Sequence, residues 1–327
     1  YGSVNNISLS SSTPIALTKN APVLTVSAST NPICNGASTV LTASGANTYS
    51  WSHSLGTGNT KTVTPTSSTT YTVTGTLANG CSSTTSISVT VNPLPSVTAS
   101  ASPAAICNGA SSVLTASGAN TYSWSHSLGT GSSKTVSPTS TTTYTVTGTT
   151  TAGCTGTATV SVTVNPLPSV TASASPAAIC NGATSVLTAS GANTYSWNTG
   201  GNTASITVTP SATTTYSVTG TSTAGCTGTA TVSVTVNSLP TVSVSASPSA
   251  ICNGASSVLT ASGANTYSWS HSLGTGSSKT VSPTSTTTYT VTGTTTAGCT
   301  GTATVSVTVN PLPSVTASAS PAAICNG

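Results

Sequence analysis

One unit of about 73 residues, repeated along the chain, constrains this sequence more than any other feature. ICNGASSVLTASGANTYSW begins at Ile106 and again at Ile251, with close variants at Ile33 and Ile179, and a last ICNG starts at Ile324. A first series of cysteines, Cys34, Cys107, Cys180, Cys252 and Cys325, therefore recurs at intervals of 73, 73, 72 and 73 residues. A second series, Cys81, Cys154, Cys226 and Cys299, follows the first by 46 or 47 residues. A repeat this long is one supersecondary unit with its own turns and its own core. The division predicted is residues 1–19 as a separate N-terminal segment or the end of a preceding domain, repeats at 20–92, 93–165, 166–237 and 238–310, and the first strand of a fifth repeat at 311–327.

Inside a repeat the pattern is that of strands. In the second copy, Ser96–Ser102 and Ser112–Ser117 alternate apolar and hydroxyl residues, and Tyr122 and Trp124, two apart, point to one face. Lys134–Pro138, Thr143–Thr149 and Thr157–Asn165 complete six or seven strands, separated by Gly, Pro, Asn and Ser. The dominant residues are β-branched and no window has helical periodicity. Short strands with turns every 8–12 residues predict an all-β fold of tandem Ig-like β-sandwich domains.

Composition narrows the function. The 327 residues include no Asp or Glu and only four Lys, for a net charge of +4. Paired-carboxylate acid/base catalysis is thereby excluded, and the chain is expected not to be an enzyme. The charge is too dilute for nucleic-acid binding, no apolar run is long enough to span a membrane, and no signal peptide is visible at the start. Regular Val, Tyr, Trp and Leu and the fixed cysteine spacing argue against a disordered, mucin-like stalk.

Each repeat offers one Trp, two Tyr and about a dozen aliphatic residues, a thin core at this size. Disulfides would make up the deficit, and their regular pairs imply an oxidising compartment. The pairing expected is within repeats, Cys34–Cys81, Cys107–Cys154, Cys180–Cys226 and Cys252–Cys299, with Cys81–Cys107 and its equivalents as the competing register. Closing such a loop of about 48 residues is worth roughly 4 kcal/mol in the chain-entropy view. Cys325 is left over, and its partner is expected some 47 residues further on, in a longer chain or in a molecule that completes the domain. No spacing or histidine cluster suggests a metal or other cofactor.

The joints read Asn-Pro-Leu-Pro-Ser at Asn92, Asn165 and Asn310, with Asn-Ser-Leu-Pro-Thr at Asn237. Two prolines in so short a joint restrict it, so the domains are expected end to end as a rod. Ca²⁺ stiffening is ruled out, because it relies on carboxylates. Isopeptide cross-links also lack their acidic residue.

ICNGASSVLTASGANTYSWS, SPTSTTTYTVTGTTTAGC and TATVSVTVNPLPSVTA resemble the tandem Ig-like (PKD-like) repeats of very large extracellular proteins of Bacteroidota. The resemblance covers residues 20–327 and implies export to the cell surface or beyond, often with O-glycosylation. Two departures stand out. The usual glycan acceptor motif begins with Asp, and the PKD-type acidic WDFGDG-like segment is replaced here by WSHSLGTG.

His53, His126 and His271 recur in that WSHSLGTG turn, each eight residues before Lys61, Lys134 or Lys279, and read as exposed loop residues. Trp51, Trp124, Trp197 and Trp269 read as core, with Tyr49, Tyr122, Tyr195 and Tyr267 on the same face. The candidate O-glycan tracts are Thr66, Ser67, Ser68, Thr69 and Thr70; Thr139, Ser140, Thr141, Thr142 and Thr143; Ser211, Thr213, Thr214 and Thr215; and Thr284, Ser285, Thr286, Thr287 and Thr288. Covalent glycans would protect sheet edges that carry almost no charge. Asn6 heads the one N-glycosylation sequon. The expectation is a structural subunit of an extracellular fibre or cell-surface stalk, self-associating or continuing in one chain. The alternatives are an adhesin binding glycans through domain-end loops, an inert spacer for an enzyme domain and, more remotely, ice binding by Thr-x-Thr surfaces.

Overall fold

The computed structural model describes residues 20–318 and Ser320. The N-terminal segment, with Asn6, and the fifth-repeat strand with Cys325 lie outside the described residues, apart from residues 311–318 and 320. The chain divides into two compact units at Asn165/Pro166. Each unit holds two β-sandwiches with separate cores, and no helix occurs among the described residues.

The second repeat shows how the strands are laid out. One sheet has three antiparallel strands in the order Thr98–Ser102, Ser112–Ser117, Ser133–Val136. The other has five, in the order Ala105–Cys107, Thr155–Asn165, Thr142–Thr149, Thr121–Trp124, Gly129–Thr130. The first strand thus changes sheets at the cis Ser102–Pro103 bond. Proline has no N–H to continue the first ladder, and beyond it Ala105–Cys107 pairs in parallel with Thr163–Asn165. This is the Ig-like arrangement of two packed sheets joined by crossing connections. Ala105–Cys107 and Gly129–Thr130 are too short to stand out from periodicity alone, and the sequence reading omits them.

Alternation builds the core. Ile106, Leu114, Ala116, Tyr122, Trp124, Val136, Tyr144, Val146 and Val162 form one buried cluster between the sheets. The tryptophans of all four repeats are buried, whereas Tyr195, unlike its three counterparts, is only half-buried. Polar tips are satisfied, as burial demands. Trp124 Nε1–H donates to the Gly131 carbonyl at 2.9 Å, and the Tyr122 hydroxyl accepts from Ala119 N–H and donates to Ala119 O, both at 2.8 Å. Ser112 is fully buried and donates to the Pro103 carbonyl at 2.7 Å, pinning the crossover. No buried side-chain nitrogen or oxygen among the described residues lacks a partner.

Candidate functional site at the joint between repeats

The last strand of each repeat carries the chain into the joint. In the first repeat, Ile33–Cys34 runs parallel to Val91–Asn92 at the end where the chain leaves the sandwich. Ile33 N–H donates to Thr90 O at 3.0 Å and Asn35 N–H to Asn92 O at 2.9 Å, so Cys34 is held beside the exit. Pro93, Leu94 and Pro95 follow, with Leu94 49% exposed, so the joint gains little from its own burial. The chain then lies down on two glycines of the second repeat. A Cβ on Gly148 would stand 2.6 Å from Val97 Cγ2 and 2.7 Å from Ala119 Cβ, and one on Gly156 would stand 2.5 Å from Pro95 O. In the second repeat the absence of a side chain at both positions lets the incoming segment approach this closely. In the first repeat Ser83 replaces the second of these glycines, and its hydroxyl donates to Pro22 O at 2.6 Å.

Beside this entry lies Cys154, in the turn between Thr142–Thr149 and Thr155–Asn165. Thr150 N–H donates to Cys154 O at 2.9 Å, and Cys154 N–H to Thr150 Oγ1 at 3.1 Å. Cys154 is bonded to Cys34, with Cα atoms 5.5 Å apart and a sequence separation of 120. The second unit repeats the arrangement. Cys180 pairs in register with Asn237, Cys299 Sγ lies 3.9 Å from Asn237 O, and Cys180 and Cys299 are bonded with Cα atoms 5.6 Å apart. Cys107 and Cys226 are also disulfide-bonded. A covalent staple thus runs beside the joint in each unit, from the exit of one sandwich to the entry of the next.

The within-repeat pairing is therefore corrected. Cys34–Cys81, Cys107–Cys154, Cys180–Cys226 and Cys252–Cys299 do not form, and Cys81 and Cys252 carry free thiols. The competing Cys81–Cys107 register fails too. The reason is the length of the sandwich. Cys34 lies beyond the Thr69↔Val89 end of an eight-residue ladder and Cys81 beyond its Thr76↔Ser82 end. Eight residues at about 3.3 Å each separate them by roughly 26 Å, whereas a disulfide needs Cα atoms within about 7 Å. A signal was present in the sequence. The second cysteine stands directly before the strand that ends at the linker, so it must lie at the opposite end from the exit.

The histidines are exposed and backed by an aromatic ring that sequence reasoning did not foresee. His126 and Ser127 have φ of 56° and 55°, and the imidazole stands edge-on to Tyr144 with centroids 5.1 Å apart. Ser125 Oγ lies 2.9 Å from His126 Nδ1 and accepts from Thr145 N–H at 3.0 Å. His126, Leu128, Pro138, Thr139, Thr142 and Tyr144 line an open groove of about 440 Å³, matched by one of about 420 Å³ at His271. The third repeat has Asn198 in place of the serine, its Oδ1 accepting from Ser217 N–H at 3.2 Å. Lys61, Lys134 and Lys279 are half-buried on strands rather than exposed in loops. Among the described residues no three His, Cys, Asp or Glu side chains gather where a metal could be held. Tyr71, 5% exposed, has its hydroxyl pKa raised by burial.

The Ser/Thr tracts enter the strand after the groove and divide by role. Ser68, Thr141, Thr213 and Thr286 accept a backbone N–H of the last strand at 3.0 to 3.1 Å. Thr69, Thr142, Thr214 and Thr287 donate to the carbonyl two residues back at 2.7 to 2.8 Å. Thr66, Ser67 and Thr70, with Thr139, Ser140 and Thr143, are exposed, as are Ser211, Thr215, Thr284, Ser285 and Thr288.

No protein-family model matches this chain, and no curated protein does. Among solved structures, the chain is similar to a Ca²⁺-stabilised ice-binding adhesin of an Antarctic bacterium, at 17% identity and TM-score 0.32, covering 89% of this chain and 100% of that one. It is also similar to the ICAM-5 D1–D4 ectodomain fragment, at 11% identity and TM-score 0.37 over 88% and 100% of the two chains. Invasin, a bacterial integrin-binding protein, aligns at 14% identity and TM-score 0.29 over 88% and 79%.

Proposed function

We propose that this chain is a structural part of an extracellular fibre or cell-surface stalk, O-glycosylated on its exposed Ser/Thr residues. The Cys34–Cys154 bridge carries the reading. A staple that joins consecutive sandwiches limits motion at a joint that has no carboxylate for Ca²⁺, and persistent disulfides belong to an oxidising, exported setting. A linear part that must hold its length uses such a device. The four repeats, at residues 20–92, 93–165, 166–237 and 238–310, are its domains. The glycan sites are Thr139 and Ser140 in the second repeat and their exposed counterparts Thr66, Ser67, Ser211, Thr284 and Ser285 elsewhere; the hydroxyls of Thr70 and Thr143 are engaged with Ser88 and Ser161. A sugar on Thr142 would cost the O–H that bonds Ser140 O. Electron microscopy of the native material should show rods or filaments that become flexible on reduction, and its intact mass should exceed that of the polypeptide. Flexible particles before reduction, or the bare polypeptide mass, would overturn the corresponding half of the proposal.

A second reading, that of an adhesin, is favoured by the groove at His126 and its copy at His271. Pro138, the imidazole and surrounding hydroxyls offer the flat apolar and hydrogen-bonding surface that a neutral saccharide needs. Glycan-array binding lost in His126→Ala/His271→Ala would support it.

A further inference from the structure

The staples follow one rule within each unit. The first-series cysteine of one repeat bonds the second-series cysteine of the next, as Cys34 does with Cys154 and Cys180 with Cys299. Cys81, second-series in the first repeat, and Cys252, first-series in the fourth, are free thiols. Their surroundings are nevertheless those of the bonded cysteines. Cys252 is paired in register with Asn310, and Asn253 N–H donates to Asn310 O at 3.0 Å, as Asn181 N–H does to Asn237 O at 2.9 Å beside bonded Cys180. Cys81 O accepts from Leu77 N–H at 2.9 Å, as Cys154 O does from Thr150 N–H. The entry beside Cys81 is built as well, with the Pro22 carbonyl bonded to Ser83 where Pro95 O packs on Gly156 in the second repeat. What differs is cover. In the second series, bonded Cys154 and Cys299 are each 1% exposed whereas Cys81 is half-buried; in the first, bonded Cys34 and Cys180 are half-buried whereas Cys252 is exposed.

We propose that Cys81 and Cys252 are complementary open ends of the staple series. Cys252 bonds a second-series cysteine of a further repeat, and Cys81 bonds an ICNG-type cysteine of another. The further repeat belongs either to the same polypeptide or to a second copy, in which case Cys252 of one copy bonds Cys81 of the next. The inference holds whether the array serves as fibre, stalk or adhesin.

The chemistry is thiol–disulfide exchange with an external disulfide as oxidant. The Cys252 thiolate attacks one sulfur of oxidised glutathione, forming a mixed disulfide and expelling one glutathione thiolate. The Cys81 thiolate of the partner then attacks the Cys252 sulfur and expels the second. The two electrons reside on two glutathione thiols, which take up the two cysteine protons.

The test uses the purified chain carrying Cys325→Ser, so that no cysteine at that position competes, incubated with oxidised glutathione. The expected result is a non-reducing ladder of dimers, trimers and longer species, with a cross-linked Cys252–Cys81 peptide on mapping. Cys81→Ser and Cys252→Ser should each abolish the ladder beyond dimers, and the double variant should remain monomeric. Both positions ending as glutathione adducts, or only Cys252–Cys252 and Cys81–Cys81 bonds, would overturn the second-copy source. In the native material, alkylation before reduction should find both positions protected. A mass that falls on reduction identifies a second copy, and an unchanged mass with a mapped inter-repeat bond identifies the same polypeptide. Alkylated thiols at both positions in the native material would overturn the proposal altogether.

Discussion

Cys34 and Cys154 are 120 residues apart in sequence and covalently joined, because the exit of one sandwich meets the entry of the next. Cys34 is fixed beside Asn92 by parallel pairing, and Cys154 is fixed in the turn that faces the incoming linker. The bond therefore spans the joint while the intervening backbone runs through Pro93, Leu94 and Pro95.

Breaking that bond should free the joint and leave the sandwiches folded. Each has its own core, so Cys34→Ser/Cys154→Ser is expected to keep the far-ultraviolet circular dichroism of the parent. Dyes at exposed Ser86 and Thr159 should report a broader distance distribution across the joint. An unchanged distribution would mean that the prolines and Gly156 contacts hold the joint unaided.

The Gly148 position under the linker should tolerate no side chain. Gly148→Val has to displace Val97 and Ala119 from positions 2.6 and 2.7 Å from its Cβ, at an expected cost of about 1–3 kcal/mol. Thr145→Ala, on an exposed position of the same strand, should stay within about 0.5 kcal/mol. Denaturant titrations of the two variants test the difference.

The thin core makes each large side chain expensive to lose. Leu114 is fully buried between the sheets, and Leu114→Ala should cost about 2–5 kcal/mol. Hydrogen exchange should locate the loss in the second repeat, with the first keeping its protection.

The pH profile should be unusual. Acid unfolding ordinarily follows protonation of carboxylates whose native pKa is depressed. With no Asp or Glu side chain, thermal stability is expected to be flat between about pH 2 and pH 5. At the alkaline end Tyr71 sets the sign. Burial raises its folded pKa above the ordinary tyrosine value of about 10, so the unfolded chain releases that proton first. Stability is then undiminished below pH 10 and falls as the pH rises through and above it. Melting followed by circular dichroism across both ranges checks this, and Tyr71→Phe should flatten part of the alkaline loss.

The elements rich in β-branched and aromatic residues were readable from alternation. Ser112–Ser117 and Thr121–Trp124 fall where period-two patterning places them, and the buried tryptophans follow from the same pattern. Ala105–Cys107 was not readable, since three residues carry no period and their pairing with Thr163–Asn165 is made across the whole repeat. The His126–Tyr144 contact depends on a left-handed backbone at His126 that the side chain does not announce.

The repeat, the sandwich and its core are written in local patterns, because side-chain alternation and turn residues act over a few positions at a time. Which cysteines meet is set by the folded arrangement of the sandwiches. Constant spacing of 46 or 47 residues suggests a pair, but an eight-residue ladder lies between its members and sets them at opposite ends of the sandwich. Bonding distance arises instead where the end of one repeat abuts the start of the next, 120 residues away along the chain.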